Sequence, residues 1–327
     1  MLNRRSFLAG ASAVTAAGLF TPAIVRAQET LVFWGPGATP SILIAQAVAS
    51  GDLDAIAPGS IAFKAWKTPD ELRAGLSSGS MPASVVPSYV AANFYNRGLG
   101  LRLLNINTNG LLYVLAADDS LTDIASLKGK TVGVPFRNDM PDYVFGRLLE
   151  KAGLVPGTDI TIEYTATVPE AVQTLLAGRV DAVLSTEPAT TAALARSAEA
   201  GKPLHRVVDI AQAWTAVAGK PGIPQAGLAL TGALVERVGA EGVDAIQSAM
   251  EKALETVLAD PDAAAALVAD EFDLPAPVIA RSIPSSNLVA ARASAIKPDL
   301  VAFFEVLAAV NPAIVGGQLP DDEFYAL

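Results

Sequence analysis

From Leu31 onward the chain alternates short apolar runs with longer segments in which apolar residues recur every three or four positions. Runs bounded by Gly, Pro and Ser have the pattern of buried strands, and the wider spacing is that of helices with one face in a core. The pattern predicts a first set of strands at 31–34, 61–66, 84–87 and 101–106, and a second at 131–135, 160–164, 182–185 and 204–210. Residues 111–117 read as a strand linking the two sets, and 225–231 as a return. Strands alternating with helices predict an α/β protein whose sheets are covered on both faces. Two crossings between the sets make the first lobe discontinuous.

Helices are expected at 41–50, where Thr39 and Pro40 would supply the cap and first turn and Gly51 the stop, and at 142–152 before Gly153. After Gly242, the stripe Val243, Ile246, Met250, Ala253, Leu254 and Val257 marks a helix facing a core, and 262–327 reads as Ala-rich and mostly helical. One unit recurs. Pro69-Asp70-Glu71-Leu72 leads through a helix to Gly79 and a strand opening at Ala83, and Pro169-Glu170-Ala171-Val172 leads to Gly178 and a strand opening at Ala182. The repeat places one copy of a helix, glycine stop and strand in each lobe.

The first 27 residues have another character. Met1 to Arg5 is basic, 7–20 (FLAGASAVTAAGLF) is apolar and uncharged, and Val25-Arg26-Ala27 fits a small-x-small cleavage site. Fourteen helical residues rise about 21 Å, short of the roughly 30 Å of a bilayer core, so the segment predicts an export signal cleaved after Ala27 rather than a membrane anchor. Arg4-Arg5 followed by Ser6-Phe7-Leu8 is similar to the twin-arginine export motif, with Asn3 and Ala9 departing from its usual flanks. No cysteine stands at the cleavage point to carry a lipid, which predicts a free periplasmic protein.

Composition narrows the chemistry. The chain has 327 residues, too many for a single core, no cysteine and one histidine, His205. That removes thiolate nucleophiles and clustered metal sites, and leaves a Ser-His-Asp triad only if His205 is its base. The formal charge is −10, and loss of Arg4, Arg5 and Arg26 leaves 20 basic against 33 acidic groups, or −13. An acidic chain without basic runs excludes a nucleic-acid partner. No cofactor or metal is expected.

Three segments carry a resemblance. Residues 121–134 (LTDIASLKGKTVGV), 169–194 (PEAVQTLLAGRVDAVLSTEPATTAAL) and 88–98 (SYVAANFYNRG) resemble stretches of the periplasmic solute-binding proteins for nitrate, sulfonates, taurine and thiamine precursors, the NitT/TauT family. The resemblance implies a type II periplasmic-binding-protein fold. Its lobes would be 28–113 with 226–327, and 114–225, joined by two crossover strands around a ligand cleft. It also implies delivery to the permease and ATPase subunits of an ABC importer, with membrane contact only through the permease. Pyrimidine-forming and menaquinone-pathway enzymes share this fold, but the pyrimidine-forming type relies on His and Cys residues that this chain does not have, and both types usually lack export signals. A periplasmic ligand sensor would share the cleft and differ in its partner.

Ligands on open α/β sheets lie beyond the carboxyl ends of strands, where helix N-termini present free N–H groups. Reading each strand end gives Trp34, Gly37, Thr39, Trp66, Lys67, Ser88 and Tyr89 from the first lobe. The second gives Phe136, Arg137, Asn138, Asp139, Thr167, Thr186 and Glu187, and Gln225 opens the return strand. Where many relatives carry small Gly and Ser residues after the first strand of lobe two, this chain has Arg137-Asn138-Asp139-Met140-Pro141. Arg137 and Lys67 would clamp an anion from opposite lobes, or be solvated or paired locally, Arg137 with Asp139 or Asp142. Glu187 and Asp139 would instead accept from a ligand carrying N–H donors or positive charge, with Asp139 alternatively a helix cap only. Trp34, Trp66, Tyr89 and Phe136 would form a flat slot, with core packing the other reading of Trp34, as it is the preferred one of Trp214. Family precedent favours a nitrate-, sulfonate- or taurine-like anion; a nitrogen heterocycle or amine, such as a thiamine-precursor pyrimidine, is the alternative.

Overall fold

The computed structural model describes residues 30–57, 60–220 and 222–327, so the expected export signal and cleavage point lie outside the described residues. The first lobe's strands are β1 (Leu31–Pro36), β2 (Ile61–Trp66), β3 (Ala83–Pro87), β4 (Leu101–Leu103) and β5 (Asn105–Thr108). The second sheet takes β6 (Leu112–Ala116), β7 (Thr131–Pro135), β8 (Thr161–Thr165), β9 (Ala182–Thr186) and β10 (His205–Asp209). The chain then returns to the first sheet with β11 (Ala226–Thr231) and β12 (Leu288–Arg292). The orders are β12-β5-β11-β3-β1-β2, with β4 also on β11, and β10-β6-β9-β7-β8. Both sheets are mixed: β1 runs parallel to β2 and β3, and β7 parallel to β8 and β9, while β11 and β6 lie antiparallel to their neighbours. This is the α/β, two-lobe architecture expected from the apolar pattern.

The two crossings run side by side. Ile223 N donates to Asn109 O at 2.8 Å, Gln225 N to Thr108 O at 3.1 Å, and Leu111 N to Gln225 Oε1 at 3.1 Å. Gly222 makes the approach possible: its φ is 63°, and a Cβ there would stand 2.5 Å from the Asn109 carbonyl oxygen. Nothing larger fits between the strands at this point.

The repeated unit is the same in both lobes down to its caps. Helices Pro69–Ser78 and Val168–Leu176 start at Thr68 and Thr167, whose hydroxyls accept from Glu71 N and Glu170 N. Glu71 and Glu170 reach back past the caps to Lys67 N at 2.7 Å and Ala166 N at 2.8 Å, so in each helix the Thr and the Glu bond in opposite directions across the first turn. Left-handed Gly79 and Gly178 then turn the chain toward β3 and β9.

Three expectations change. The strand expected at 101–106 is two, because the chain changes neighbours at Leu104: β4 pairs β11, whereas β5 also reaches β12. The C-terminal stretch is mostly helical, as expected, with Leu288–Arg292 forming an edge strand on β5. The helix placed after Gly242 already begins at Gly232 and runs to Ala259, across a break at Gly239. Thr39 caps nothing. It lies inside a 3-10 turn, Thr39–Ser41, preceded by Ala38, and helix Ile42–Ala49 follows. The polar anchor of that turn is Ser41, whose hydroxyl donates to Pro36 O at 2.8 Å.

One core lies between the first sheet and helices Ile42–Ala49, Gly232–Ala259 and Pro261–Phe272. A second is continuous across both lobes, from Val86 and Leu103 to Val134, Phe145, Phe303 and Phe304. Trp214 belongs to it, its ring edge-on to Phe303 at 6.0 Å, which agrees with the core reading. No described helix is long and apolar enough to cross a membrane.

Candidate functional site

Between the two sheets lies a cavity of about 560 Å³, in the range that holds a small organic ligand. Its walls come from both lobes and are mostly apolar: Trp66, Leu72, Phe94, Leu112, Phe136 and Met140 supply much of the surface. Of the residues chosen from strand ends, the structure brings six together on this wall, namely Trp66, Tyr89, Phe136, Asp139, Thr186 and Gln225.

Asp139 carries the strongest charge facing the cavity from the second lobe. It precedes helix Met140–Lys151, and its Oδ1 accepts from Met140 N at 2.7 Å, so it is the helix cap as well as a wall residue. The same Oδ1 accepts from the Tyr89 hydroxyl, 2.7 Å away in the first lobe. Burial, and then the neighbouring Asp139 charge, push the Tyr89 phenol well above its usual range, which keeps it a neutral donor. Asp139 Oδ2 has no hydrogen-bond partner among the described residues.

Two further polar atoms on the wall are free. The Thr186 hydroxyl is buried without a partner among the described residues, and Gln225, whose Oε1 holds Leu111 N, makes no bond there through its Nε2. Trp66 is fixed in place, its indole N–H donating to Ser84 Oγ at 3.1 Å. Free acceptor, hydroxyl and amide thus stand among aromatic rings, the pattern of a site that orients one small solute.

The loop entering helix Met140–Lys151 is under backbone strain. Phe136 and Asn138 have φ of 61° and 62°, a region costly for a bulky side chain such as that of Phe136. A local network holds it: Asn138 N donates to Asp142 Oδ2 at 2.9 Å, Tyr164 donates to Asp142 Oδ1 at 3.1 Å, and Arg137 lies over the Tyr164 ring at 4.8 Å. The strain turns Phe136 onto the cavity wall while Arg137 and Asn138 stay outside it.

The remaining expected residues are engaged elsewhere. Lys67 Nζ donates to Glu271 O at 2.7 Å, so the Lys67 and Arg137 clamp is not formed. Glu187 is buried: Arg206 Nη2 donates to its Oε1 at 2.5 Å, and Thr191 N and Oγ1 donate to its Oε2 at 3.1 and 2.8 Å, leaving no oxygen for a ligand. Ser88 is buried and donates to Pro224 O at 2.6 Å. Thr167 is a helix cap, Gly37 abuts Phe272, and Thr39 is buried away from the lining. Trp34 packs with the core, with Lys64 Nζ 6.0 Å from its ring centroid.

Strand-end reading overlooked the helix after β3. Tyr89, Asn93 and Arg97 all line the cavity, and their spacing of four is a signal the sequence carried. Arg97 is exposed and forms no ion pair among the described residues. Arg73, also on the wall, is paired with Asp70 at 2.7 Å.

Comparison with solved structures gives the fold. An ABC transporter protein from Parabacteroides distasonis superposes with a TM-score of 0.74 at 20% identity, over 90% of this chain and 98% of that one. The periplasmic aliphatic sulphonate-binding protein SsuA from Escherichia coli gives 0.65 at 18%, over 90% and 92%. The periplasmic nitrate-binding protein NrtA from Synechocystis PCC 6803 gives 0.55 at 12%, over 77% and 69%. The fold is that of the periplasmic binding proteins. The model of the NMT1-like family matches residues 19–269, and the chain belongs to that family. No curated protein sequence matches it.

Proposed function

We propose that the protein is the solute-binding component of an ABC importer, exported through its N-terminal signal, cleaved after Ala27, and free in the periplasm. Its lobes would be 28–113 with 226–327, and 114–225. Permease and ATPase subunits are its partners, and it binds rather than transforms its solute. Both its fold relatives and its cavity support this reading: two lobes meet around a space of ligand size, and no histidine or cysteine stands on the wall.

The observation that carries the ligand class is electrostatic. Oxyanions bind where helix N-termini offer unpaired N–H groups. Here, where helix Met140–Lys151 opens on the cavity wall, the chain places its own carboxylate, Asp139, on Met140 N. A small oxyanion would meet an occupied donor and the Asp139 charge there. A flat ring or amine with N–H donors instead finds Asp139 Oδ2, the Thr186 hydroxyl and aromatic walls. This shifts the balance from a nitrate-like anion to a nitrogen heterocycle or amine.

Arg97 supports a second reading. A solute with an apolar body and one anionic group, as in an organosulfonate, would pair with it at the cavity wall. A thermal-shift screen over amines, nitrogen heterocycles, sulfonates and inorganic oxyanions separates the classes. A ligand at 100 times its dissociation constant adds about 2.7 kcal/mol of stability, a shift of several degrees in a chain this size. Heterocycles or amines are expected to give that shift. Stabilisation by inorganic oxyanions alone would overturn the assignment.

A further inference from the structure

We infer that Tyr89 and Asp139 form a latch across the cleft that sets how much of the protein is closed before any solute binds. The inference rests on the solute-binding reading of the cavity and adds the regulation of that site. Tyr89 lies on helix Ser88–Phe94 of the first lobe, and Asp139 caps helix Met140–Lys151 of the second. Their 2.7 Å bond spans the two lobes at the cavity wall itself.

The bond is built to be strong. Its acceptor is a carboxylate that caps a helix N-terminus, so the bond is charge-assisted. Its donor is a phenol that is 8% exposed, so little water competes for it. It joins two protein groups, and nothing else is needed to make it. One other side-chain bond near the cleft joins the same helix to the first lobe, Asn311 Nδ2 to Tyr143 Oη at 3.2 Å, but it uses neutral partners and is longer. The bonds between the crossings are short-range and hold the hinge rather than the mouth.

A bond present only in the closed form shifts the open–closed equilibrium by its own free energy. The apparent affinity for a solute then scales with the closed fraction. The latch also divides the carboxylate's work: Oδ1 holds the helix and the opposite lobe, and Oδ2 remains for the solute. Closure and recognition therefore meet on one side chain.

The test uses the mature protein without added solute. Because the chain has no cysteine, Ala74→Cys on one lobe and Gln173→Cys on the other, both exposed, give a unique pair for spin labels. The expected distance distribution has a short component in the parent, and in Tyr89→Phe that component falls, with the open-to-closed ratio rising about 10- to 100-fold. Asp139→Asn keeps a good helix cap and loses the charge, so it should fall between the two. Melting curves check that each variant is folded. A Tyr89→Phe distribution matching the parent, or a parent with no short component, would overturn the latch. Neither result depends on any ligand, whereas the solute-binding reading stands or falls on the thermal-shift screen.

Discussion

Gly227→Ala is expected to remove the folded protein from solution, with a loss on the order of 4–5 kcal/mol or more. Gly227 lies on β11, in register with Val86 of β3 on one side. On the other side a Cβ would stand 1.8 Å from the Asn105 carbonyl oxygen and 2.9 Å from Ile106 Cα. The Asn105 backbone cannot retreat. Its side chain is buried, donating to Gln247 Oε1 at 2.8 Å and accepting from Leu228 N at 3.2 Å, and the next residue back, Leu104, donates to Leu228 O at 2.9 Å. The methyl would therefore part β11 from β5 at the centre of the first sheet. Gly146→Ala is the control: it sits exposed in helix Met140–Lys151 with nothing near its Cβ position, and should gain up to about 1 kcal/mol from helix propensity. Soluble yield and thermal denaturation of the two variants read the contrast. A Gly227→Ala protein as stable as the parent would refute the register described for β11.

Arg206→Met should cost about 3 kcal/mol, the lower end of the range for breaking a buried ion pair, since the Arg206 side chain remains 28% exposed to water. Glu187 is fully enclosed, and removal of the guanidinium leaves its carboxylate with only the Thr191 donors. Arg206 also bonds Thr191 Oγ1 at 2.7 Å and lies over the Tyr113 ring at 5.4 Å. Adding Glu187→Gln to Arg206→Met should restore much of the loss, because no buried charge is then left unpaired. Urea denaturation of the single and double variants measures this. If Arg206→Met alone is neutral, the pair carries no stability and Glu187 is available for another role.

These two examples also mark where sequence reading stops. The two sheets, the crossings and the repeated helix, glycine stop and strand were legible because each depends on local pattern: apolar runs, a Pro and an acid opening the helix, a Gly at its end. The partners of exposed-looking charges were not. Lys67 is held by Glu271 and Glu187 by Arg206, and no spacing in the chain announces a contact made by folding. The same limit hid the edge strand Leu288–Arg292, whose apolar residues alternate too weakly to separate from the surrounding helices.

Strand-end logic found six residues of the cavity wall and missed the helical row Tyr89, Asn93 and Arg97 beyond the first of them. It also set Arg137 against Asp139 as rival recognisers of anion and cation. The folded loop separates them: left-handed Phe136 and Asn138 turn Arg137 out onto Tyr164 and leave Asp139 at the wall. The segment Phe136 to Asp139 thus fixes both the shape of the loop and the negative charge on the cavity wall.

The central claim is that the solute lies between the lobes with a donor on Asp139 and a face on Trp66. Calorimetry with the best ligand from the thermal-shift screen, on the parent, Asp139→Ala, Trp66→Ala and Arg97→Ala, tests it most directly. Loss of a hydrogen bond to a charged group is worth roughly 1.5 to 3 kcal/mol, so Asp139→Ala should weaken binding about ten- to a hundredfold. Trp66→Ala should weaken it by at least about tenfold, and Arg97→Ala by less than about threefold. Binding by both Asp139→Ala and Trp66→Ala at parental affinity would contradict the account.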